Sequence, residues 1–331
     1  MLALRSWLLA TRPRTLAAGL APVAVGTALA STGVPVDWLI AGACLLGALF
    51  IQIGVNFAND AFDALKGADT PDRLGPTRAV ASGAISARAM LIATAVVLTL
   101  ALGVGLYLAD RGGWPILVLG LVSLVCAVAY TGGPFPLAYH GLGDFFVFLF
   151  FGLFAVLGSA WLQVAVIVNA GYAAGVTIGF QHAVSDATGA RILQRVWSSS
   201  ESWLLRLPWE WWLVAAAIGL QATAIIAVNN LRDIETDARV GKRTLAVRLG
   251  DRASRRYYAL LQIAAATALW CAALGEGGWP LALPAGVATI GAMLLAFTVA
   301  RAQGRALNRE LARTAALELV TALALVAALA R

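Results

Sequence analysis

Long runs of apolar residues dominate the chain, and short polar segments separate them. A helix needs about 20 mostly apolar residues to cross a bilayer, with a range of roughly 17–25. Segments of this kind recur along the whole chain, each bounded by charged residues, glycine or proline. They are residues 15–32, 38–59, 89–108, 114–130, 144–164, 210–230, 257–274, 279–300 and 312–330. The pattern predicts an all-α membrane protein with about nine transmembrane helices in a single domain, residues 1–331.

Two segments do not fit this alternation. The opening residues hold only a short apolar patch at 7–10 and no small-residue cleavage site, which predicts a short interfacial helix and not a signal peptide. Residues 165–207 are too polar to span. We expect them to form an atypical insertion on the outer side, with an interfacial helix around residues 191–205.

Composition supports a membrane protein. The chain is 60% apolar and 12% charged, with a mean hydropathy of +0.82, whereas soluble chains are about 45–50% apolar and about 25% charged. These values exclude an ordinary soluble enzyme and a disordered chain. In a membrane protein the net charge of +7 indicates cytoplasmic loops beside anionic lipid, so no nucleic-acid partner is expected. The three cysteines lie far apart in apolar runs, as packing residues do.

Basic residues are distributed unequally between alternate loops. Most of the 24 Lys and Arg side chains fall on the side that also holds the N-terminus. Positive charge is retained on the cytoplasmic side. The distribution therefore predicts a multi-pass protein of the inner (plasma) membrane, with the N-terminus and residues 60–88, 131–143, 231–256 and 301–311 in the cytoplasm.

Polar side chains cluster at the ends of the second and sixth predicted spans. Ionisable groups at the membrane are costly, so they are functional candidates. Residues spaced by three or four share one face of a helix, and the two clusters repeat this spacing in the two halves of the chain. An internal half repeat is a common plan in membrane proteins. The two predicted stripes are Asn56, Asp60 and Asp63, and Asn229, Asp233 and Asp237.

This combination of groups indicates a metal-dependent phosphate site. Several carboxylates facing one another would repel unless a cation lies between them. Carboxylate and amide oxygens favour Mg²⁺, which commonly bridges carboxylates to phosphate oxygens. Basic residues immediately downstream supply further positive charge for a diphosphate. An ion-coupled transporter is the alternative of a different class, but its acids usually lie near the bilayer midplane.

Four stretches of the chain resemble the UbiA superfamily of intramembrane aromatic prenyltransferases. The superfamily signature is an ND-x-x-D region and a D-x-x-x-D region on two helices, matched by Asn59-Asp60 to Asp63 and by Asp233 to Asp237. The resemblance is greatest to the branch that prenylates 1,4-dihydroxy-2-naphthoate. One departure is Gly67, where many members carry a third Asp; Asp69 and Asp72 follow instead. The four stretches are residues 7–16, 59–79, 130–145 and 229–251.

The resemblance implies a UbiA-like helical bundle and a specific reaction. The expected activity is Mg²⁺-dependent transfer of a polyprenyl group from polyprenyl diphosphate to 1,4-dihydroxy-2-naphthoate. Loss of CO₂ and diphosphate would give demethylmenaquinone in menaquinone biosynthesis. The implied partners are both substrates and the lipid bilayer. Prenylation of another ring, 4-hydroxybenzoate or homogentisate, is the alternative within the superfamily.

The same resemblance implies the roles of individual residues. The expected catalytic residues are Asp60, Asp63, Asp233 and Asp237. The expected metal ligands are Asn56, Asp60, Asp63, Asp233 and Asp237. The expected substrate-binding residues are Lys66, Arg73, Arg78, Tyr130, Tyr139, Lys242 and Arg243. His140 could help deprotonate a phenol, or it could make an ordinary interfacial hydrogen bond.

Overall fold

Each predicted span coincides with a helix, which confirms the all-α prediction. The structure is a computed structural model that describes residues 2–69, 74–173, 207–275 and 278–330, and within these ranges it contains no strands. The helices in the first half are α1 (Leu2–Ala10), α2 (Pro13–Ser31), α3 (Trp38–Leu65), α4 (Ala87–Gly112), α5 (Trp114–Ala129), α6 (Gly143–Val147) and α7 (Gly158–Ala173). The helices in the second half are α8 (Trp209–Arg232), α9 (Ile234–Arg239), α10 (Leu245–Ala273), α11 (Ala282–Arg301) and α12 (Leu307–Leu329).

Local residues explain where several helices begin and end. The Asp37 carboxylate accepts hydrogen bonds from the first free N–H groups of α3, at 2.9 and 3.1 Å, as N-cap residues do. Gly113 separates α4 from α5 with a φ of 81°, a conformation that glycine adopts without steric cost. Arg12 separates α1 from α2 with a φ of 54°. These breaks let the chain reverse between apolar helices.

The helices close into one bundle. In the first half α3 packs between α2 and α4, and α2 also packs on α7. In the second half α10 packs between α8 and α11, and α11 packs on α12. The bundle closes because α12 packs on both α2 and α8. The ends of α3 and α8, which carry the polar clusters, therefore belong to the same bundle.

A π-helical segment joins α6 to α7 and packs on α8. This π segment covers Phe148–Leu157. It lies so close to α8 that a Cβ atom added at Gly152 would come within 2.7 Å of the Gly219 Cα atom. Small residues at such crossings allow close backbone approach in membrane bundles. These glycines let the π segment and α8, which belong to different halves of the chain, pack closely.

The predicted count of nine spans is not confirmed. In the described ranges, six helical segments are long and apolar enough to cross a membrane, so the chain is a multi-pass membrane protein. Two further apolar helices, Thr15–Ser31 and Trp114–Ala129, are shorter. The remaining predicted span, residues 257–274, is the second part of α10, whose first turns carry charged residues. The six segments are Trp38–Leu65, Ala87–Gly112, Gly143–Ile167, Trp209–Arg232, Trp279–Arg301 and Gly304–Leu329.

The predicted insertion at 165–207 starts too early in the sequence. The helix α7 continues through residue 165 to Ala173, because apolar residues extend the helical segment there. Residues 174–206, with the predicted interfacial helix at 191–205, lie outside the described residues.

Candidate active site

The polar cluster at the end of α3 is buried and anchors the segment that follows it. The two Asp60 carboxylate oxygens accept hydrogen bonds from the backbone N–H groups of Ala79 and Val80, at 3.1 and 3.0 Å. The Asn56 amide donates to the Thr11 carbonyl at 2.9 Å. Both side chains are at least nine-tenths buried. The end of α3 thus holds the chain before and after it in place.

Arg78 is the central cation of this cluster. One guanidinium nitrogen lies 2.8 Å from an Asp63 oxygen, and another lies 3.2 Å from an Asp69 oxygen. The other Asp63 oxygen accepts a hydrogen bond from the Tyr139 hydroxyl at 2.9 Å. Arg78 also donates to the Asn59 carbonyl. Because these groups are buried, the ion pair is shielded from solvent and its geometry is closely defined.

The second polar stripe is not continuous, contrary to the prediction. Helix α8 ends at Arg232, and Asp233 has non-helical backbone angles before α9 begins. Asp233 pairs with the adjacent Arg232 guanidinium at 2.5 Å. Arg232 also donates to Asn229 at 3.0 Å and to Asn308 of α12 at 2.8 Å. The helix ends here because these side chains satisfy one another where the chain turns.

Direct contacts bring the two polar clusters together. Asn308 donates to the carbonyl of Leu74, in the segment after α3, at 3.0 Å, so the Arg232 cluster reaches the first motif. On the other side, the Lys66 and Lys242 ammonium groups lie 4.6 and 5.5 Å from the centre of the Tyr139 ring. Lys242 also lies 3.8 Å from Asp237. The two motifs therefore lie at the same end of the bundle.

Burial and the nearby negative charge of Asp63 raise the pKa of Tyr139 above its ordinary value. Its hydroxyl therefore remains a hydrogen-bond donor at neutral pH. Burial also lowers the pKa of Lys66 from its ordinary value, Asp63 opposes that shift, and repulsion from Lys242 adds to it. Lys66 donates to the Thr131 carbonyl at 2.6 Å.

The remaining predicted residues differ in how they are related to the cluster. Arg243 is exposed, and it meets the cluster through its backbone N–H, which donates to the Tyr139 carbonyl at 3.1 Å. Arg73 and Asp72 lie outside the described residues. The His140 Nδ1 atom donates a hydrogen bond to the Pro136 carbonyl at 2.9 Å. This contact agrees with the second interpretation of His140, an ordinary hydrogen bond.

Two adjacent cavities meet at this site. The large cavity has a volume of about 1460 Å³, above the roughly 300–1,000 Å³ of common ligand pockets, and apolar side chains form most of its wall. Of the predicted residues, Asn56, Asp60, Arg78 and Tyr130 line it. The small cavity has a volume of about 60 Å³, and Asp63, Arg78, Tyr130 and Lys242 contribute to its wall. Both cavities share the residues Arg12, Asn59, Arg78, Tyr130, Ile226 and Asn229.

The donor chemistry of this region fits Mg²⁺, although the acids are already paired. Among the described residues, no three His, Cys, Asp or Glu side chains are grouped so as to hold a metal ion. Asp63, Asp233 and Asp237 each lie beside a protein cation. The carboxylate and amide oxygens at the head of the large cavity are nevertheless the ligand type that Mg²⁺ prefers. The metal assignment stays a prediction.

Sequence reasoning missed several residues of the site. Asn59 and Arg232 lie inside the motifs, but neither was predicted to have a role in the site. Their importance is visible only from their buried hydrogen bonds, which sequence spacing does not reveal. Asn308 is on α12, far along the chain, and its contact with Arg232 has no local sequence signal. Asp144 lines the small cavity from the first turn of α6.

The fold and the site define an intramembrane protein with a buried acid–base cluster at the head of a large apolar cavity. The chain belongs to the UbiA prenyltransferase family, whose profile matches residues 19–320. This confirms the family resemblance of the sequence motifs.

Curated relatives of known name share much of the sequence. The 1,4-dihydroxy-2-naphthoate octaprenyltransferase of Escherichia coli K12 is 39% identical over 266 residues, which cover 78% of this chain and 72% of the relative. The enzyme of the same name from Mycobacterium tuberculosis is 35% identical over 295 residues, which cover 86% of each chain.

Solved structures have the same fold. The apo structure of a UbiA homolog from Aeropyrum pernix K1 has a TM-score of 0.59 at 20% identity, covering 94% of this chain and 96% of the homolog. A UbiA homolog from Archaeoglobus fulgidus bound to DMAPP and Mg²⁺ has a TM-score of 0.58 at 14% identity, covering 97% and 99%.

Proposed function

We propose that this protein transfers a polyprenyl group from a polyprenyl diphosphate to 1,4-dihydroxy-2-naphthoate, with loss of CO₂ and diphosphate, to form demethylmenaquinol. A separate two-electron oxidation of this hydroquinone would give the expected demethylmenaquinone. The observation that carries the proposal is the large apolar cavity with buried Asn, Asp and Arg side chains at its head. The names of the curated relatives support the acceptor. An isoprenoid chain needs an apolar wall, and a diphosphate needs cations, and the cavity offers both.

The chemical problem is the negative charge that develops on the departing diphosphate. Arg78 and Arg232 line the large cavity, as do Asp60 and Asn229. This position supports a role for their guanidinium groups in binding diphosphate oxygens. Charge-assisted hydrogen bonds of this kind are most effective in a site that excludes water. Lys66, Lys242 and Arg243 extend the positive charge at the same end of the bundle.

Mg²⁺ is the proposed cofactor. The residues that would hold it are Asn56, Asp60, Asp63, Asp233 and Asp237. When bound, it would neutralise part of the diphosphate charge and so favour cleavage of the allylic carbon–oxygen bond. The Archaeoglobus fulgidus homolog, whose solved structure contains DMAPP and Mg²⁺, supports this cofactor.

The apolar wall of the large cavity has a second role. The allylic carbon becomes electron-poor as diphosphate leaves, and water would capture it. Aromatic rings attract positive charge through their faces, and Tyr130 and Phe146 line the cavity. The remaining apolar wall excludes water from the reacting carbon.

The cellular arrangement is part of the proposal. We expect the chain to form one transmembrane domain in the inner (plasma) membrane, with its N-terminus and both motif loops in the cytoplasm. There the loops would meet the water-soluble diphosphate head and the aromatic acid, while the prenyl chain enters from the bilayer.

A detergent-purified enzyme tests the activity directly. We expect prenylation of 1,4-dihydroxy-2-naphthoate with a kcat/KM well above that for 4-hydroxybenzoate or homogentisate with the same prenyl donor. A ratio at or below one would indicate another acceptor. Absence of turnover with all three rings, in a folded preparation that contains Mg²⁺, would contradict an aromatic prenyltransferase.

A further inference from the structure

Besides Asp63, a second carboxylate lines the small cavity. Asp144 lies in the first turn of α6, is 5% exposed, and lines the small cavity. Tyr257 of α10 donates a hydrogen bond to this carboxylate. Its Oδ2 atom has no hydrogen-bond partner among the described residues. A buried carboxylate oxygen without a donor is costly, so a donor from the cavity would stabilise it.

The other acid in the same cavity is already engaged. Asp63 contacts Arg78 through one oxygen and the Tyr139 hydroxyl through the other. Of these two acids, Asp144 is therefore the one with a carboxylate oxygen still available to accept a hydrogen bond. The remaining titratable or charged groups around the small cavity are Arg12, Arg78, Tyr130 and Lys242, with Tyr257 bonded to Asp144 itself.

The small cavity adjoins the polar head of the large cavity, where we expect the acceptor ring to bind. Tyr130 and Asn229 line both cavities. The Tyr130 hydroxyl lies against Gly143, next to Asp144, where an added Cβ atom would come within 2.9 Å of it. A volume of about 60 Å³ is too small for an aromatic ring. It is large enough for water, which needs about 10–15 Å³ on this measure.

We propose that Asp144 is the general base of the reaction and acts through a water molecule in the small cavity. This rests on the proposed function. Asp144 would take the proton of the acceptor hydroxyl next to the carboxylated carbon while that carbon bonds to the prenyl group and diphosphate leaves. The product of this step is a keto acid. When its carboxylate leaves as CO₂, the electron pair re-forms the ring, and Asp144 returns the proton to the oxygen.

The protons and electrons balance in this sequence. One carbon–oxygen bond to diphosphate breaks and one carbon–carbon bond to the ring forms. One carbon–carbon bond to CO₂ then breaks, and its electrons restore the aromatic ring. Asp144 ends in its starting ionisation state, so no oxidant or external base is consumed. His140 is a poorer candidate, because it bonds to the Pro136 carbonyl and lines neither cavity.

The test compares Asp144→Asn with the wild type in the 1,4-dihydroxy-2-naphthoate assay. Loss of a general base lowers kcat by about 10²–10⁴-fold. We expect this loss in Asp144→Asn, with binding of a polyprenyl diphosphate unchanged. At pH values below the pKa of the acceptor hydroxyl, we also expect the residual rate of Asp144→Asn to rise about tenfold for each unit by which the pH is raised. The reason is that the variant depends on acceptor that has already lost its proton. Asp110→Asn is the matched control, since Asp110 is exposed at the end of α4, and it should retain wild-type kcat.

A second variant tests the proposal even if Asp144→Asn fails to fold. Asp144→Glu keeps the carboxylate, and we expect partial activity with a displaced acidic limb of the pH–rate profile. Wild-type kcat in Asp144→Asn, or an unchanged profile in Asp144→Glu, would overturn the role of Asp144. Failure of the wild-type enzyme to prenylate any acceptor would instead contradict the proposed function.

Discussion

At the residue scale, the site depends on buried charges that are matched one by one. Arg78 contacts Asp63 and Asp69, and the side chains of all three are nearly inaccessible to solvent. Arg232 similarly contacts Asp233. A buried ion pair is a weak source of net stability, but removal of one partner leaves an uncompensated charge. We therefore expect the same residues to serve folding as well as the proposed ligand binding.

Arg78→Ala should strongly destabilise the protein. It leaves the buried Asp63 and Asp69 carboxylates without their cation, which typically costs about 3–5 kcal/mol. Arg111→Ala is the matched control: its side chain is half exposed and lies 3.6 Å from the exposed Asp110, so its effect should be within about 0.5 kcal/mol. Unfolding in detergent, by heat or denaturant, measures both. Equal stability losses in the two variants would contradict the buried role of Arg78.

Asp60→Asn should abolish turnover and also lower stability. The Asp60 oxygens accept two backbone N–H groups, whereas an asparagine has one acceptor oxygen and turns an NH₂ group toward the other donor. An unsatisfied buried donor costs about 1–3 kcal/mol. Relief of repulsion between facing carboxylates would by itself raise stability. Unfolding and prenylation assays measure the two effects, and a more stable variant would show that repulsion between carboxylates dominates.

Removal of divalent metal should stop the reaction without unfolding the protein. The carboxylates lie beside the protein cations Arg78, Arg232 and Lys242, so we expect the fold to persist when the ion is removed. We expect EDTA to remove prenylation and added Mg²⁺ to restore it, with an unchanged unfolding temperature. Full turnover in metal-free buffer would exclude the proposed cofactor.

At the element scale, the π segment forms an aromatic wall of the large cavity. Phe146, Phe150 and Phe154 all line the cavity, and successive ring centres are 6.1 and 5.3 Å apart. Phe146 lies in α6, and the other two rings belong to the π segment. Because the ring centres follow one another at these distances, the three rings form a continuous row. We expect this row to give the prenyl chain an apolar surface.

Phe154→Ala should change the preference for prenyl chain length. Removal of the ring enlarges the cavity and removes apolar contacts along the chain. We expect kcat/KM for a long prenyl diphosphate to rise relative to a short one. Phe145→Ala is the control, because Phe145 is 58% exposed and lies outside the cavity wall. If this ratio of kcat/KM values were unchanged in Phe154→Ala, the π segment would have no role in selecting the length of the prenyl chain.

The crossing of the π segment and α8 gives a second element-scale test. A Cβ atom at Gly219 would come within 2.8 Å of the Gly152 Cα atom, so Gly219→Ala must separate the helices, at a cost of about 1–3 kcal/mol. Gly103 of α4 has no neighbouring atom within 4 Å of an added Cβ. Gly103→Ala should therefore be neutral or stabilising. Thermal unfolding in detergent measures both variants. If Gly103→Ala lowered stability more than Gly219→Ala, the close packing of the π segment on α8 would be contradicted.

At the scale of the whole molecule, the contacts between the halves require both motif loops on one side of the membrane. Asn308 links Arg232 to the segment after α3, and Tyr139 lies between Lys66 and Lys242. The charge distribution predicts that this side faces the cytoplasm. The orientation is thus open to a direct test.

Single-cysteine labelling in a cysteine-free background measures this orientation. We expect Ala81→Cys and Glu235→Cys to react with an impermeant reagent only from the cytoplasmic side, and Asp110→Cys only from the outer side. All three positions are exposed, so reaction depends on sidedness. Labelling of residues 81 and 235 from opposite sides would contradict a joint site.

The sequence alone determined the class of fold, the positions of the apolar helices and the family. Apolar runs of spanning length need no tertiary information, because the bilayer itself requires them. Motif spacing was also sufficient to select Asp60, Asp63, Asp233 and Asp237, since polar groups at membrane helix ends are rare and costly.

Only the tertiary structure decided how those groups are paired. The pairing of Asp63 with Arg78, the helix break at Asp233 and the contact from Asn308 join residues that are distant in sequence or that depend on a local turn. The open oxygen of Asp144 likewise follows from what surrounds it in space. The physical reason is that periodicity records which face of a helix is apolar, whereas the partner of a buried charge depends on the packing of several helices.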